Sequence, residues 1–172
     1  YGLTPENAVS YNFVQNEDGK LISNNNGKSS TMANSYIEID LTNKTGAYYV
    51  EVNAEISSES TDYGYATITQ NTTAPTVTAT NGRFIYISGI QEAKDYLYNG
   101  YLLGGSKYYL HLGYFKDSSN DSGDDQFVVN SIKVYGSNSV SYNFNEVDNK
   151  FVSSTELSAG QQCNSYIPID LT

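Results

Sequence analysis

The feature that most constrains this chain is a long internal repeat. Ser10-Tyr11-Asn12-Phe13 returns as Ser141-Tyr142-Asn143-Phe144, 131 residues later. Asn34-Ser35-Tyr36-Ile37-Glu38-Ile39-Asp40-Leu41-Thr42 returns as Asn164-Ser165-Tyr166-Ile167-Pro168-Ile169-Asp170-Leu171-Thr172, 130 residues later, with one difference in nine. A period of that length is a whole globular domain in tandem, not one turn of a solenoid. The expected organisation is a complete unit over residues 1–136 and the N-terminal portion of a second, truncated unit over 137–172. The only flexible stretch between them is Gly136-Ser137-Asn138-Ser139, so consecutive units should stand end to end with little freedom. The final 36 residues have too few strands to make a sandwich alone. Fraying, docking on the first unit and pairing with another copy all stay open.

Charge and cysteine usage narrow the function classes. Nineteen acidic residues against nine basic ones give a net charge of -10, which repels nucleic-acid phosphates. No apolar run approaches the roughly 20 residues of a membrane span, and no signal peptide is present, so an export signal is expected outside this sequence. Cys163 is the only cysteine, which excludes an intrachain disulfide and a thiolate zinc site. It aligns with Ala33 of the first unit, so a buried small residue is its expected role. A polar, Tyr- and Asn-rich chain without disulfides reads as a secreted or cell-surface bacterial protein. Intramolecular Lys–Asn or Thr–Gln bonds would serve such a domain in place of disulfides, although the sequence assigns no pair.

The hydropathy period is two. In the segment from Tyr48 to Ile56, Tyr48, Val50, Val52, Ala54 and Ile56 alternate with Tyr49, Glu51, Asn53 and Glu55, the pattern of a half-buried antiparallel strand. From Lys107 to Tyr114, Tyr108, Leu110, Leu112 and Tyr114 are expected inward, with Lys107, Tyr109, His111 and Gly113 outward. Further strands are expected at 11–14, 35–41, 65–69, 83–88 and 126–134. No segment keeps a helical period. About eight short strands separated by turn signals predict an all-β protein, an antiparallel β-sandwich of jelly-roll type. Pro168 in place of Glu38 places that strand at a sheet edge or a bulge.

The acidic residues point to a hard cation. Calcium takes about six to eight oxygen ligands from carboxylates, carbonyls and water. Glu59 and Asp62 end one strand, while Asp117, Ser119, Asn120, Asp124 and Asp125 fall in one short loop. If the two segments are neighbours, Glu59, Asp62, Asp117, Asp124 and Asp125 form a calcium site; otherwise they are ordinary solvated turn residues.

The same two stretches carry a family resemblance: Ile56-Ser57-Ser58-Glu59-Ser60-Thr61-Asp62-Tyr63-Gly64-Tyr65-Ala66-Thr67-Ile68, and Gly113-Tyr114-Phe115-Lys116-Asp117-Ser118-Ser119-Asn120-Asp121-Ser122-Gly123-Asp124-Asp125. Over roughly residues 47–134 the chain resembles jelly-roll modules of multidomain bacterial exoproteins, and its layout is similar to the CUB and MAM families and to carbohydrate-binding-module sandwiches. The resemblance implies an extracellular module with calcium at the acidic residues. It does not imply one role, since such modules serve adhesion, glycan binding and spacing alike. The disulfides of animal CUB domains are missing here.

Catalytic signals are weak. His111 is the only histidine and is expected to be solvent-facing or structural, no serine lies in a nucleophile elbow, and Glu51/Glu55 read as a solvated strand face. Tyr96, Tyr98 and Tyr101, around Asn99-Gly100, form an aromatic-rich segment expected between strands. It is either a platform for sugar rings or half-buried strand packing. The expected function is a non-catalytic, adhesive or stalk module of a large bacterial surface or secreted protein, its partners being neighbouring repeat units and a glycan or host-surface ligand. The alternative is a carbohydrate-binding module appended to a secreted enzyme.

Overall fold

The computed structural model describes residues 9–75 (side chains from Tyr11), 82–119 and 121–136, and the backbone of 145–147 and 150–152. Cys163 and Pro168 therefore lie outside the described residues. In chain order the strands are β1 (Val9–Tyr11), β2 (Phe13–Gln15), β3 (Leu21–Ser23), β4 (Thr31–Asp40), β5 (Ala47–Ser57), β6 (Tyr63–Thr69), β7 (Arg83–Ser88), β8 (Ile90–Leu97), β9 (Leu102–Leu103), β10 (Lys107–Lys116), β11 (Gln126–Gly136), β12 (Asn145–Val147) and β13 (Lys150–Val152). They build an all-β sandwich. One sheet runs β1-β4-β10-β6-β7; the other runs β2-β3-β11-β5-β8, with β9 beside β5. All pairings are antiparallel except the short β1–β4 contact. The chain changes sheet between β1 and β2, β3 and β4, β4 and β5, β5 and β6, β7 and β8, β9 and β10, and β10 and β11.

Alternation places the core. Along β5, Val50, Val52, Ala54 and Ile56 are buried while Glu51, Asn53 and Glu55 are only partly covered. They pack between the sheets against Leu110, Leu112, Tyr114, Phe127, Val129, Ile85 and Ile87. The phenyl ring of Phe127 lies against the α-carbon of Gly64, where a methyl group would collide with it. Glycine is needed there for close approach.

Three expectations need correction. The outward row of β10 is solvated only at its start: Lys107 is exposed and Tyr109 half-buried, but His111, Gly113 and Phe115 are buried. Tyr65 reaches across Gly113, whose lack of a side chain leaves the space, and donates a hydrogen bond to Asn34 Oδ1 at 3.0 Å. Met32, Tyr63, Tyr65 and Phe115 thereby form a second apolar cluster on the outer face of this sheet. Second, Tyr96 lies not between strands but in β8, an edge strand of mostly exposed polar residues that carries no clean alternation. Third, the stretch around 11–14 is divided: β1 joins one sheet and β2 the other. Glu38 does lie on an edge, since β1 covers only Thr31–Ala33 and the rest of β4 has no described strand on that side.

β12 and β13 pair antiparallel with each other. Their pairs Asn145↔Val152 and Glu146↔Phe151 stand where the sequence-repeat offsets of 131 and 130 carry Val14↔Ile22 and Gln15↔Leu21.

Candidate functional site

The inward row of β10 reads Tyr108, Leu110, Leu112, Tyr114, Lys116. Strand parity therefore turns the Lys116 side chain into the sandwich rather than out of it. Asp62, just before β6, shares parity with Gly64 and Ala66 and also points inward. The two meet at one end of the interior, each side chain 1% exposed, with Lys116 Nζ 3.1 Å from Asp62 Oδ2. The same ammonium lies 3.0 Å from Asp121 Oδ1 and contacts Asp125 Oδ1. Asp125 is 7% exposed and has a positive φ of 55°. Its Oδ1 accepts from the Tyr114 hydroxyl at 3.0 Å and its Oδ2 from the Gly27 amide at 2.5 Å. The turn before β4 is tied to this end as well, because Ser30 N–H donates to the Asp117 carbonyl at 2.7 Å.

A second group of carboxylates adjoins the first. Glu59, Asp62 and Asp117 present oxygens within 4.8 Å of one another. Asp62 Oδ1 accepts from the Asp117 amide at 2.8 Å. The Ser119 hydroxyl lies 2.5 Å from both Glu59 Oε1 and Asp117 Oδ1. One hydroxyl carries one proton, so it can donate to only one of these two oxygens. Thr61 donates to Glu59 Oε1 at 2.9 Å, and the Ser119 amide to Asp117 Oδ1 at 2.7 Å.

Proton affinities follow these contacts. Burial pushes the Asp62 carboxyl above its ordinary range, against the bonds from the Asp117 amide and Lys116. Hydrogen bonds from the Ser119 hydroxyl and amide hold Asp117 below it. Burial alone would lower the Lys116 pKa, but hydrogen bonds to Asp125, Asp121 and Asp62 outweigh it and hold the ammonium above its usual value. Burial also raises the Tyr114 phenol, helped by the charge on Asp125.

The structure thus brings Glu59, Asp62 and Asp117 together. Asp125 is not part of that group and is committed to Lys116, Tyr114 and Gly27. Asp124 faces elsewhere: its amide donates to Ser57 Oγ at 2.9 Å, and it lines a shallow groove of about 300 Å³ with Glu55, Ile90 and Glu92. Asn120 lies outside the described residues. Tyr96, Tyr98 and Tyr101 do not form one open platform. Tyr96 and Tyr98 pack against the core, Tyr98 edge-on to Phe84 at 5.5 Å, and only Tyr101 is well exposed.

Sequence reasoning missed two features. Lys116 is one; its signal is the parity it shares with Leu110 and Leu112. The other is the outer face of the β4-β10-β6-β7 sheet, where Tyr36 meets Tyr109 edge-on at 5.5 Å and Arg83 lies over Tyr65 and Tyr86. Tyr36 and Tyr86 are 51% and 57% exposed. His111 lies within this face, its Nε2 2.9 Å from Thr69 Oγ1 and 3.0 Å from the Asn71 carbonyl.

No protein-family model matches this chain, and no curated protein is significantly similar to it.

Proposed function

We propose that the chain is a non-catalytic, extracellular repeat module of a bacterial surface or secreted protein, an adhesive or stalk unit whose acidic sandwich end is closed by calcium. The observation that carries this reading is a charge imbalance. Glu59, Asp62, Asp117, Asp121 and Asp125 are gathered at one end of the sandwich, and among the described residues Lys116 is the one ammonium that pairs with any of them. Glu59, Asp62 and Asp117 are the ligands, and carboxylate oxygens are what calcium takes. The repeat supports the stalk role, since tandem units multiply weak contacts and extend a tip. The sheet changes along the chain, with strand orders β4-β10-β6-β7 and β3-β11-β5-β8, support a jelly-roll connectivity. His111 is bonded to a threonine hydroxyl and a backbone carbonyl, neither of which makes it a general base.

One observation favours a second reading, carbohydrate binding: the exposed Tyr36 and Tyr86 rings, with the half-buried Tyr109, on the outer face of the β4-β10-β6-β7 sheet. Flat phenol rings offer apolar faces with wet hydroxyls, which suit a sugar ring. A glycan array probed with the chain, in calcium and again in a chelator, separates the two. The stalk reading predicts no glycan captured in either condition. Selective capture abolished by Tyr36→Ala would transfer the function to the aromatic face.

A further inference from the structure

We propose that Lys116 and Asp125 become joined by an amide bond that the folded domain forms by itself. The case rests on where these two groups are held. Lys116 Nζ is 1% exposed and touches the Asp125 carboxylate, 7% exposed, at the end of the interior. Two opposite charges kept out of water are costly even when paired, and a neutral amide removes both charges at once. In bulk water, condensation of an ammonium with a carboxylate is uphill. In the sandwich the reactants are already dehydrated and are held in contact by β10 and the loop that follows it, which supplies the entropy of bringing them together.

Asp125 is the reacting carboxyl because of what surrounds it. Its Oδ2 accepts from the Gly27 amide at 2.5 Å, a fixed backbone donor aimed at the oxygen on which negative charge grows as the amine adds to Cγ. Its Oδ1 accepts from the Tyr114 hydroxyl at 3.0 Å and is the oxygen that departs. The two protons that Nζ sheds pass to the Asp125 Oδ1 that it touches and depart with that oxygen as water. Asp121 is 52% exposed, so its charge stays hydrated and gains nothing by condensing. The step balances: the Nζ–Cγ bond forms, the Cγ–Oδ1 bond breaks, and ammonium plus carboxylate become an amide plus one water. No oxidant, reductant or cofactor is needed. The bond ties the end of β10 to the start of β11, strands of opposite sheets, in a unit whose 136 residues contain no cysteine.

Intact-mass spectrometry of the purified full chain, denatured before measurement, tests the proposal. The expected mass is lower than that of the sequence by one water. A protease digest should then contain a branched peptide joining Lys116 to Asp125, with no tryptic cleavage after Lys116. Lys116→Met should restore the mass expected from its own sequence. Asp125→Asn, which loses ammonia where the parent loses water, should converge on the cross-linked mass of the parent. A wild-type chain that is folded by circular dichroism and carries its full sequence mass overturns the proposal. So does a water loss that fragmentation places on any other pair.

Discussion

The two ends of one row of side chains make the most instructive comparison in this molecule. On the inward face of β10, Leu110 and Leu112 lie in an apolar interior with Val50, Val52 and Val129. Two positions beyond Leu112 comes Tyr114, whose hydroxyl already turns to Asp125, and then Lys116, wholly buried among carboxylates. The backbone is the same strand throughout; only the solvent changes. In the middle, stability comes from area removed from water, while at the end every buried charge must be met by a partner or by a cation. Burial alone therefore says little about what a residue contributes here. Partner identity decides it.

The sharpest way to break the comparison is to remove one residue from each region. Phe127→Ala, in the apolar region, should cost about 3–5 kcal/mol through lost transfer energy and the cavity left behind. Lys116→Met should cost a similar amount, about 3–5 kcal/mol, for a different reason: Asp62 and Asp125 are left buried without the polar group that both of them contact. Urea unfolding reads both. The two should part when the partner is also removed, since adding Asp62→Asn to Lys116→Met should recover part of the loss, whereas no single neighbouring change should rescue Phe127→Ala. Recovery in neither case would mean that the polar end behaves like the core.

A smaller effect tests the outer aromatic face. Gly113→Ala should cost about 1–3 kcal/mol, because the new methyl group overlaps the Tyr65 ring and forces it off Asn34. An unchanged unfolding midpoint would show that the ring is free to move away. Smaller still is a pH effect at His111. Burial holds this imidazole below its ordinary value of 6.5, so the folded state prefers it neutral. Its contribution is complete above 6.5 and is lost as pH falls from there through the lower folded value, because the unfolded chain takes up the proton first. His111→Gln should flatten that part of the stability–pH curve; an unaltered slope would assign the dependence to the carboxylates.

How much of this was legible in the sequence depended on whether local pattern or long-range packing set the outcome. The β5 alternation was readable because Val, Ala and Ile leave no doubt about which face is apolar. The outward row of β10 was not, because Tyr, His and Gly are compatible with either solvent or packing, and Gly113 acquires its meaning only from Tyr65 on the neighbouring strand. β8 escaped notice because edge strands are relieved of the need to alternate. At the acidic end, Glu59, Asp62 and Asp117 were legible as residue types at strand ends. Their separation from Asp124 was not, since that depends on Asp125 and its left-handed backbone directing adjacent side chains to different surroundings.

Thermal unfolding in calcium and in a chelator tests most directly whether the acidic end binds calcium. A calcium-binding end gives a higher Tm in calcium, by the equivalent of about 2.7 kcal/mol at a hundredfold excess over Kd. Asp117→Ala should lose that increment while unfolding like the wild type in chelator. A wild-type Tm that is the same in both conditions would contradict it, and would leave Glu59, Asp62 and Asp117 as turn residues held by Ser119, Thr61 and Lys116 alone.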